Sequence, residues 1–279
     1  MSESLEARER RVRIRLHYDG EGFSGWQVQP GARTVQSELE SALARLTDRP
    51  SSVLAAGRTD RGVHATGQVV SARVPARWGA DRLERALNAI LPSDIWVAAV
   101  EETGLDFHAR YDAVARGYAY RVGTSATARS PFVRRGCWAL LEPLDGAALA
   151  GTAAVLPGTH SFRAFAKSGQ EERGDRCTVH VAAWSPWTVR AGPGSDEAAG
   201  YEFRIVANRF LHHMVRYLVG TMVDAGRGRR PASDLGALLE GEPGLETSPP
   251  APPEGLFLTD IYYDERELGE RARSDEAVS

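Results

Sequence analysis

Residues 11 to 18, "RVRIRLHY", alternate strictly, with Val12, Ile14, Leu16 and Tyr18 on one face and Arg11, Arg13, Arg15 and His17 on the other. A period of two with one apolar side predicts a half-buried strand. A loop with Gly20, Gly22 and Gly25 follows. Thr34 then stands at the cap of a predicted helix whose Val35, Leu39, Leu43 and Leu46 form one stripe. "SVLAAG" and "GQVVSARV" read as two more strands, "DRLERALNAIL" as a helix ended by Pro92, and "DIWVAAVEE" as a fourth strand. The order is β-α-β-β-α-β, the ferredoxin-like arrangement.

The second half repeats the order without repeating the sequence. The predicted elements are a strand at 118–123, a helix at 144–156, strands in "CTVHVAAWSPW" and "YEFRIVAN", a long helix at 209–226 and a strand at 255–263. The fold class is therefore α+β: two βαββαβ units whose antiparallel sheets join into one extended sheet, with helices mainly on one face. The expected organisation is a charged tail at 1–10, a first unit at 11–103, an arginine-bearing connector at 104–117, a second unit at 118–264 and a charged tail without fixed structure at 265–279. A polar loop at 191–200 is expected between two strands of the second unit.

Composition narrows the classes. The 279 residues are 42% apolar, enough for a buried core. No run is long enough to span a bilayer, and the charged start "MSESLEARERRVR" lacks an apolar signal core, so a soluble cytoplasmic protein is expected. Cys137 and Cys177 are the only cysteines and predict buried thiols rather than a disulfide framework. Neither CxxC nor HxxxH spacing occurs, and His212 and His213 are adjacent, so no metal site is expected. The net charge of −3 hides an asymmetry. Leu238 to Ser279 carries eleven acids and three arginines, whereas Gly104 to Gly136 carries six arginines and two aspartates. Lys167 is the one lysine, so the basic character is arginine, whose fork suits phosphate and stacks on bases.

The chemistry concentrates in "AAGRTDRGVHATGQVV", residues 55–70, where Asp60 lies between Arg58 and Arg61 in a glycine-flanked loop at strand ends. Flanking guanidiniums favour the ionised carboxylate, which suits a nucleophile, a base or a partner for a developing cation. Gly57 and Gly62 allow close approach, and the two arginines can hold phosphates on either side of a nucleotide. The plain alternative is a hairpin connection with a surface ion pair. Glycoside hydrolysis would need a second carboxylate. Asp19, Asp106 and Asp112 qualify by type, but no spacing ties them to Asp60.

That stretch closely resembles the catalytic motif of the tRNA pseudouridine synthases of the TruA type. "YDGEGFSGWQ", "TVQSELESAL", "DFHARYDAVARGYAYRV", "GTHSFRAF", "FLHHMVRYLVGTM" and "APPEGLFLTDIYY" match in order, over roughly residues 12 to 264. The resemblance implies the pseudouridine synthase fold and isomerisation of uridine to pseudouridine in the tRNA anticodon stem-loop, at positions 38, 39 and 40. It implies no cofactor and no metal, a homodimer, and tRNA as partner. Asp60 is the implied nucleophile or base, acting on a uridine flipped out of its stack. Tyr118 matches the active-site tyrosine, and Arg216 the arginine that pairs with the aspartate; on a helix at 209–226 it would share a face with His212. Arg58 matches the arginine that contacts RNA. His64, Phe165 and Arg110 match positions at the site wall or the RNA surface. From residue type alone, Tyr118 and Phe165 could equally be core aromatics, His64 a packed histidine, and Arg216 and Arg110 solvated charges. Arg61 departs from the pattern, which more often has a small residue there, and Gly117 replaces a residue often basic.

Two other functions are compatible with parts of the sequence. Ferredoxin-like units bind single-stranded RNA without catalysis, but the aromatic-rich strand signature of that module is missing. A sugar-processing hydrolase would use Asp60, but lacks an identifiable acid partner.

Overall fold

The computed structural model describes residues 9–167, 174–192 and 195–276. The chain forms two compact units. Met1–Val114 and Leu258–Asp264 make the first, and Ala115–Phe257 and Glu265–Ser279 the second.

The first unit runs β1 (Glu9–Tyr18), α1 (Val35–Thr47), β2 (Val53–Ala55), β3 (His64–Pro75), α2 (Ala80–Ile90) and β4 (Ile95–Thr103). β1 is central and antiparallel to both β3 and β4, while β2 pairs with β3. The order β4-β1-β3-β2 is that of a ferredoxin-like sheet. The alternation in β1 works as predicted: Val12, Ile14 and Leu16 are fully buried. α1 opens on a capping box, with Thr34 Oγ1 accepting from Ser37 N and Ser37 Oγ from Thr34 N, each at 3.2 Å. Leu39 and Leu43 of α1 and Leu83 and Leu87 of α2 are buried completely. Asn88 ties α2 to β4 by donating to Val97 O at 2.9 Å and accepting from Val97 N at 2.8 Å.

The second unit runs β5 (Ala115–Gly123), β6 (Trp138–Ala139), α3 (Gly146–Ala154), β7 (Gly158–Ser161), β8 (Arg176–Gly192), β9 (Ser195–Ala207), α4 (Met214–Gly226) and α5 (Asp234–Glu240). Its strands follow the order β5-β9-β8-β7, with β6 parallel to β5. Asp145 caps α3 by accepting from Ala147 N and Ala148 N. β10 (Leu256–Tyr262) and α6 (Glu265–Glu276) complete the chain.

Several boundaries differ from the sequence expectation. β5 begins at Ala115 rather than Tyr118, absorbing the end of the expected connector. The final strand was expected to close the second unit, yet from Leu258 onward it belongs to the first. Gly67 explains the attachment: a Cβ there would lie 1.8 Å from Thr259 O, so only glycine lets the strands approach so closely. β8 and β9 extend into the expected 191–200 loop, with Arg190 opposite Asp196; residues 193–194 lie outside the described ones. The expected tail is helical over Glu265–Glu276, and residues 1–8 and 277–279 lie outside the description. No helix among the described residues is long and apolar enough to cross a membrane.

Candidate active site

The loop from Ala56 to Val63 is held by strand residues that precede and follow it. Ala56 N donates to Val69 O at 2.8 Å. Gln68, fully buried on β3, grips Gly57 with both ends of its amide, donating to the carbonyl at 2.7 Å and accepting from the N–H at 3.4 Å. The same amide donates to the Tyr18 hydroxyl at 3.4 Å, and that hydroxyl lies 2.8 Å from Thr59 Oγ1. Burial pushes the Tyr18 phenol well above the usual tyrosine range, although its bonds to Thr59 and Gln68 act the other way. The hydroxyl is therefore a neutral structural link, one residue from Asp60.

Asp60 is half-buried at the first position of a tight turn, and its carbonyl accepts from Val63 N at 3.1 Å. Gly62 has φ of +79° at the third position, where a type II turn favours glycine. The glycine-rich loop after β1 packs against this turn backbone to backbone. Trp26 N donates to Thr59 O at 3.0 Å. A Cβ on Gly25, whose φ is +94°, would meet Thr59 O at 2.9 Å, and one on Gly20 would meet Val63 O at 2.1 Å. The glycines that permit this close approach, Gly20 and Gly25, both lie in the loop after β1.

His64 is 4% exposed, and its Nδ1 accepts from Gly20 N at 3.0 Å. Asp19 Oδ1 lies 3.2 Å from the same nitrogen. A backbone N–H can only donate, so Nδ1 carries a lone pair and the Asp19 contact is not a charged pair in that tautomer. Arg58 and Arg61 are exposed, and among the described residues neither guanidinium has a hydrogen bond or ion pair. The plain alternative, an ion pair of these arginines with Asp60 across the hairpin connection, is therefore not what the loop forms among the described residues.

Arg110 sits in a turn that His108 closes, its Nδ1 accepting from Arg110 N at 3.1 Å and Tyr111 N at 3.2 Å. The Arg110 guanidinium lies 5.8 Å over the Tyr111 ring. The turn is anchored by Ala109, which is fully buried with Ala56 and Val69. Asp112 accepts from His108 N, Asp19 from Glu21 N, and Asp106 is exposed.

In the second unit Tyr118 is 8% exposed on β5, with its ring edge-to-face on Phe210 at 4.9 Å. Arg216 lies in the first turn of α4 and its Nε donates to Ala251 O at 2.7 Å. His212 is not on that helix: His213 adopts φ of +64° and α4 starts only at Met214, so the expected shared face of His212 and Arg216 does not exist. Phe165 ends a short 3-10 turn (Arg163–Phe165), is fully buried, and packs on Phe162.

The sequence reading overlooked Tyr18, Thr59 and Gln68. The signal was present in Gln68, a lone amide among "VVSARV" apolar positions on an inward strand.

Comparison with known proteins bears on all of these residues. The family model described as tRNA pseudouridine synthase matches residues 15–112 and 152–264. The chain belongs to the tRNA pseudouridine synthase family. A relative named tRNA pseudouridine synthase A from Moorella thermoacetica is 41% identical over 256 residues, covering 90% of this chain and 99% of its own. Those of the same name from Geobacillus kaustophilus and Chlorobium luteolum are 40% and 38% identical, covering 91% of this chain and 95% and 96% of theirs. Within the family match lie Asp60 and its whole supporting network; Tyr118 falls between the two matched spans.

Proposed function

We propose that this pseudouridine synthase isomerises uridine to pseudouridine in the anticodon stem-loop of tRNA, at positions 38, 39 and 40, in the cytoplasm and as a homodimer. The observation that carries the reading is the near-full-length similarity to proteins named tRNA pseudouridine synthase A, with a carboxylate held on a rigid turn at the motif position.

In this reading the uridine leaves its stack and meets Asp60. The N1–C1′ bond breaks, the base turns, C1′ joins C5, the proton on C5 passes to solvent, and N1 takes up a proton from solvent. Asp60 either attacks C1′ and is later displaced, or removes the 2′ proton to give a glycal that is reprotonated. Both routes balance without an oxidant, reductant or metal, and both require an ionised carboxylate of fixed direction. The Tyr18–Thr59 bond and the Gln68 clamp supply that direction. Arg58 and Arg61, exposed beside Asp60, hold phosphates flanking the uridine, and Arg58 fills the space the base leaves. Tyr118 stacks on uracil, steadied by Phe210, and its hydroxyl assists loss of the C5 proton. The family resemblance gives Arg216 the task of balancing the Asp60 carboxylate; its Nε donates to Ala251 O. Arg110 contacts the RNA backbone. Buried His64 and Phe165 act from behind, as supports of the site wall.

The test is to map pseudouridines by carbodiimide adduct formation and primer extension on unmodified tRNA transcripts incubated with the protein. Stops assigned to positions 38 to 40 are expected. Adducts only elsewhere in the tRNA would overturn the site assignment.

A further inference from the structure

Between β5 and β6 the chain makes two short 3-10 turns, Ala126–Arg129 and Arg134–Gly136, separated by Ser130-Pro131-Phe132-Val133. This segment lies in the gap between the two spans of the family match. Its tip is Phe132, 96% exposed, the most exposed large apolar side chain among the described residues.

The exposure is not that of a loose loop. Ser130 N donates to Thr127 O at 3.0 Å, Val133 N and Arg134 N to Ser130 O at 3.0 and 2.8 Å, and Gly136 N to Val133 O at 3.0 Å. Both ends are pinned: Ala128 is fully buried against Gly123, where a Cβ would lie 2.3 Å from its own, and Cys137 is 1% exposed. Thr127 Oγ1 adds a bond to Glu197 at 2.9 Å. A backbone so closely tied holds the phenyl ring outward in the free protein, where water gives it nothing in return.

The surroundings define what would cover the ring. From Ser125 to Gly136 the segment holds Arg129, Arg134 and Arg135 and no acid, and all three arginines are exposed. An exposed apolar ring flanked along the chain by three exposed arginines suits a polyanion that also offers π faces, which is nucleic acid. We infer that this loop is a second tRNA contact, in which Phe132 stacks on an unpaired base or a helix end and Arg129, Arg134 and Arg135 bind the adjoining phosphates. The inference rests on the proposed tRNA substrate. It assigns the loop to affinity and not to chemistry, since a preformed contact that touches none of the reacting atoms acts equally on bound substrate and transition state.

The test is direct tRNA binding at several salt concentrations, with single-turnover isomerisation at saturating tRNA as a second readout. Phe132→Ala should weaken binding about tenfold, the scale of one base stack, and leave the saturated single-turnover rate unchanged. Phe132→Trp should restore binding and Phe132→Leu should not, because stacking needs a flat ring. Replacing Arg129, Arg134 and Arg135 by Gln should reduce the slope of log affinity against log salt by about two to three. Affinities of Phe132→Ala and the Gln variant within about twofold of wild type would overturn the inference. So would loss of dimer on Phe132→Ala, with tRNA affinity falling only in step with it, because the ring would then belong to an interface between two copies. Binding is read apart from turnover, so a protein that binds tRNA through this loop but isomerises nothing would overturn the isomerase reading alone.

Discussion

Leaving a buried hydroxyl without a partner costs about 1–3 kcal/mol, and Tyr18 and Thr59 avoid that cost with a shared bond of 2.8 Å. The bond also fixes the residue immediately before Asp60, so in the proposed mechanism one interaction serves both stability and the direction of the carboxylate. Tyr18→Phe should therefore lower unfolding free energy by about 1–3 kcal/mol in urea titrations and lower kcat more than it raises KM. A kcat equal to wild type in a destabilised variant would confine Tyr18 to folding. Gly25 makes a related case. With φ of +94° and a Cβ position 2.9 Å from Thr59 O, Gly25→Ala must displace the loop, and kcat should fall about a hundredfold for a shift near 1 Å. Asp60 was legible because its motif is local in sequence. The residues that aim it were not, because Tyr18, Thr59 and Gln68 meet only after β1 and β3 pair, with Leu16 opposite Gln68.

At the level of elements, periodicity located strands and helices but not their ends. The apolar pattern of α4 extends backward through Phe210 and Leu211, and only the left-handed backbone of His213 stops the helix at Met214. Histidine enters that conformation more often than most residues but still seldom, so residue type alone does not place the helix start there. The β8–β9 hairpin outruns its apolar alternation because ladder bonds continue where side chains no longer need burial. Short elements such as β6 and α5 carry too few residues for a period to show. A helix glycine supplies a prediction at this scale. Gly220 lies inside α4, where Ala would ordinarily stabilise by about 1 kcal/mol through propensity. A Cβ there would instead lie 2.1 Å from Pro249 O, so Gly220→Ala should destabilise the protein despite better helix propensity. A rise in the urea midpoint would show that the 249–251 segment yields easily.

For the molecule as a whole, stability should depend on pH through groups that burial keeps neutral. Burial pushes the thiols of Cys137 and Cys177 from near 9 to about 11, and the phenols of Tyr18 and Tyr120 upward as well. The unfolded chain ionises these groups first as pH rises, so the folded state holds more protons and loses stability. The contribution is complete below pH 9 and declines from there to about pH 11, the interval bounded by the ordinary and raised thiol values. Urea midpoints across that range should fall, and less steeply when both cysteines are replaced by alanine; a flat profile would contradict the burial of the thiols. The two-unit α+β plan was legible from the repeated order of elements, but the return of Leu258–Asp264 to the first unit was not, because a glycine-mediated strand approach leaves no period in the sequence. The central claim is that Asp60 carries the isomerisation. It is tested most directly by tritium release from tRNA labelled at C5 of uridine, with wild type and Asp60→Asn compared at saturating tRNA. Release by wild type, and a rate lower by on the order of 10⁴-fold in a variant that still binds tRNA, is the predicted result. Undiminished release by Asp60→Asn would contradict it.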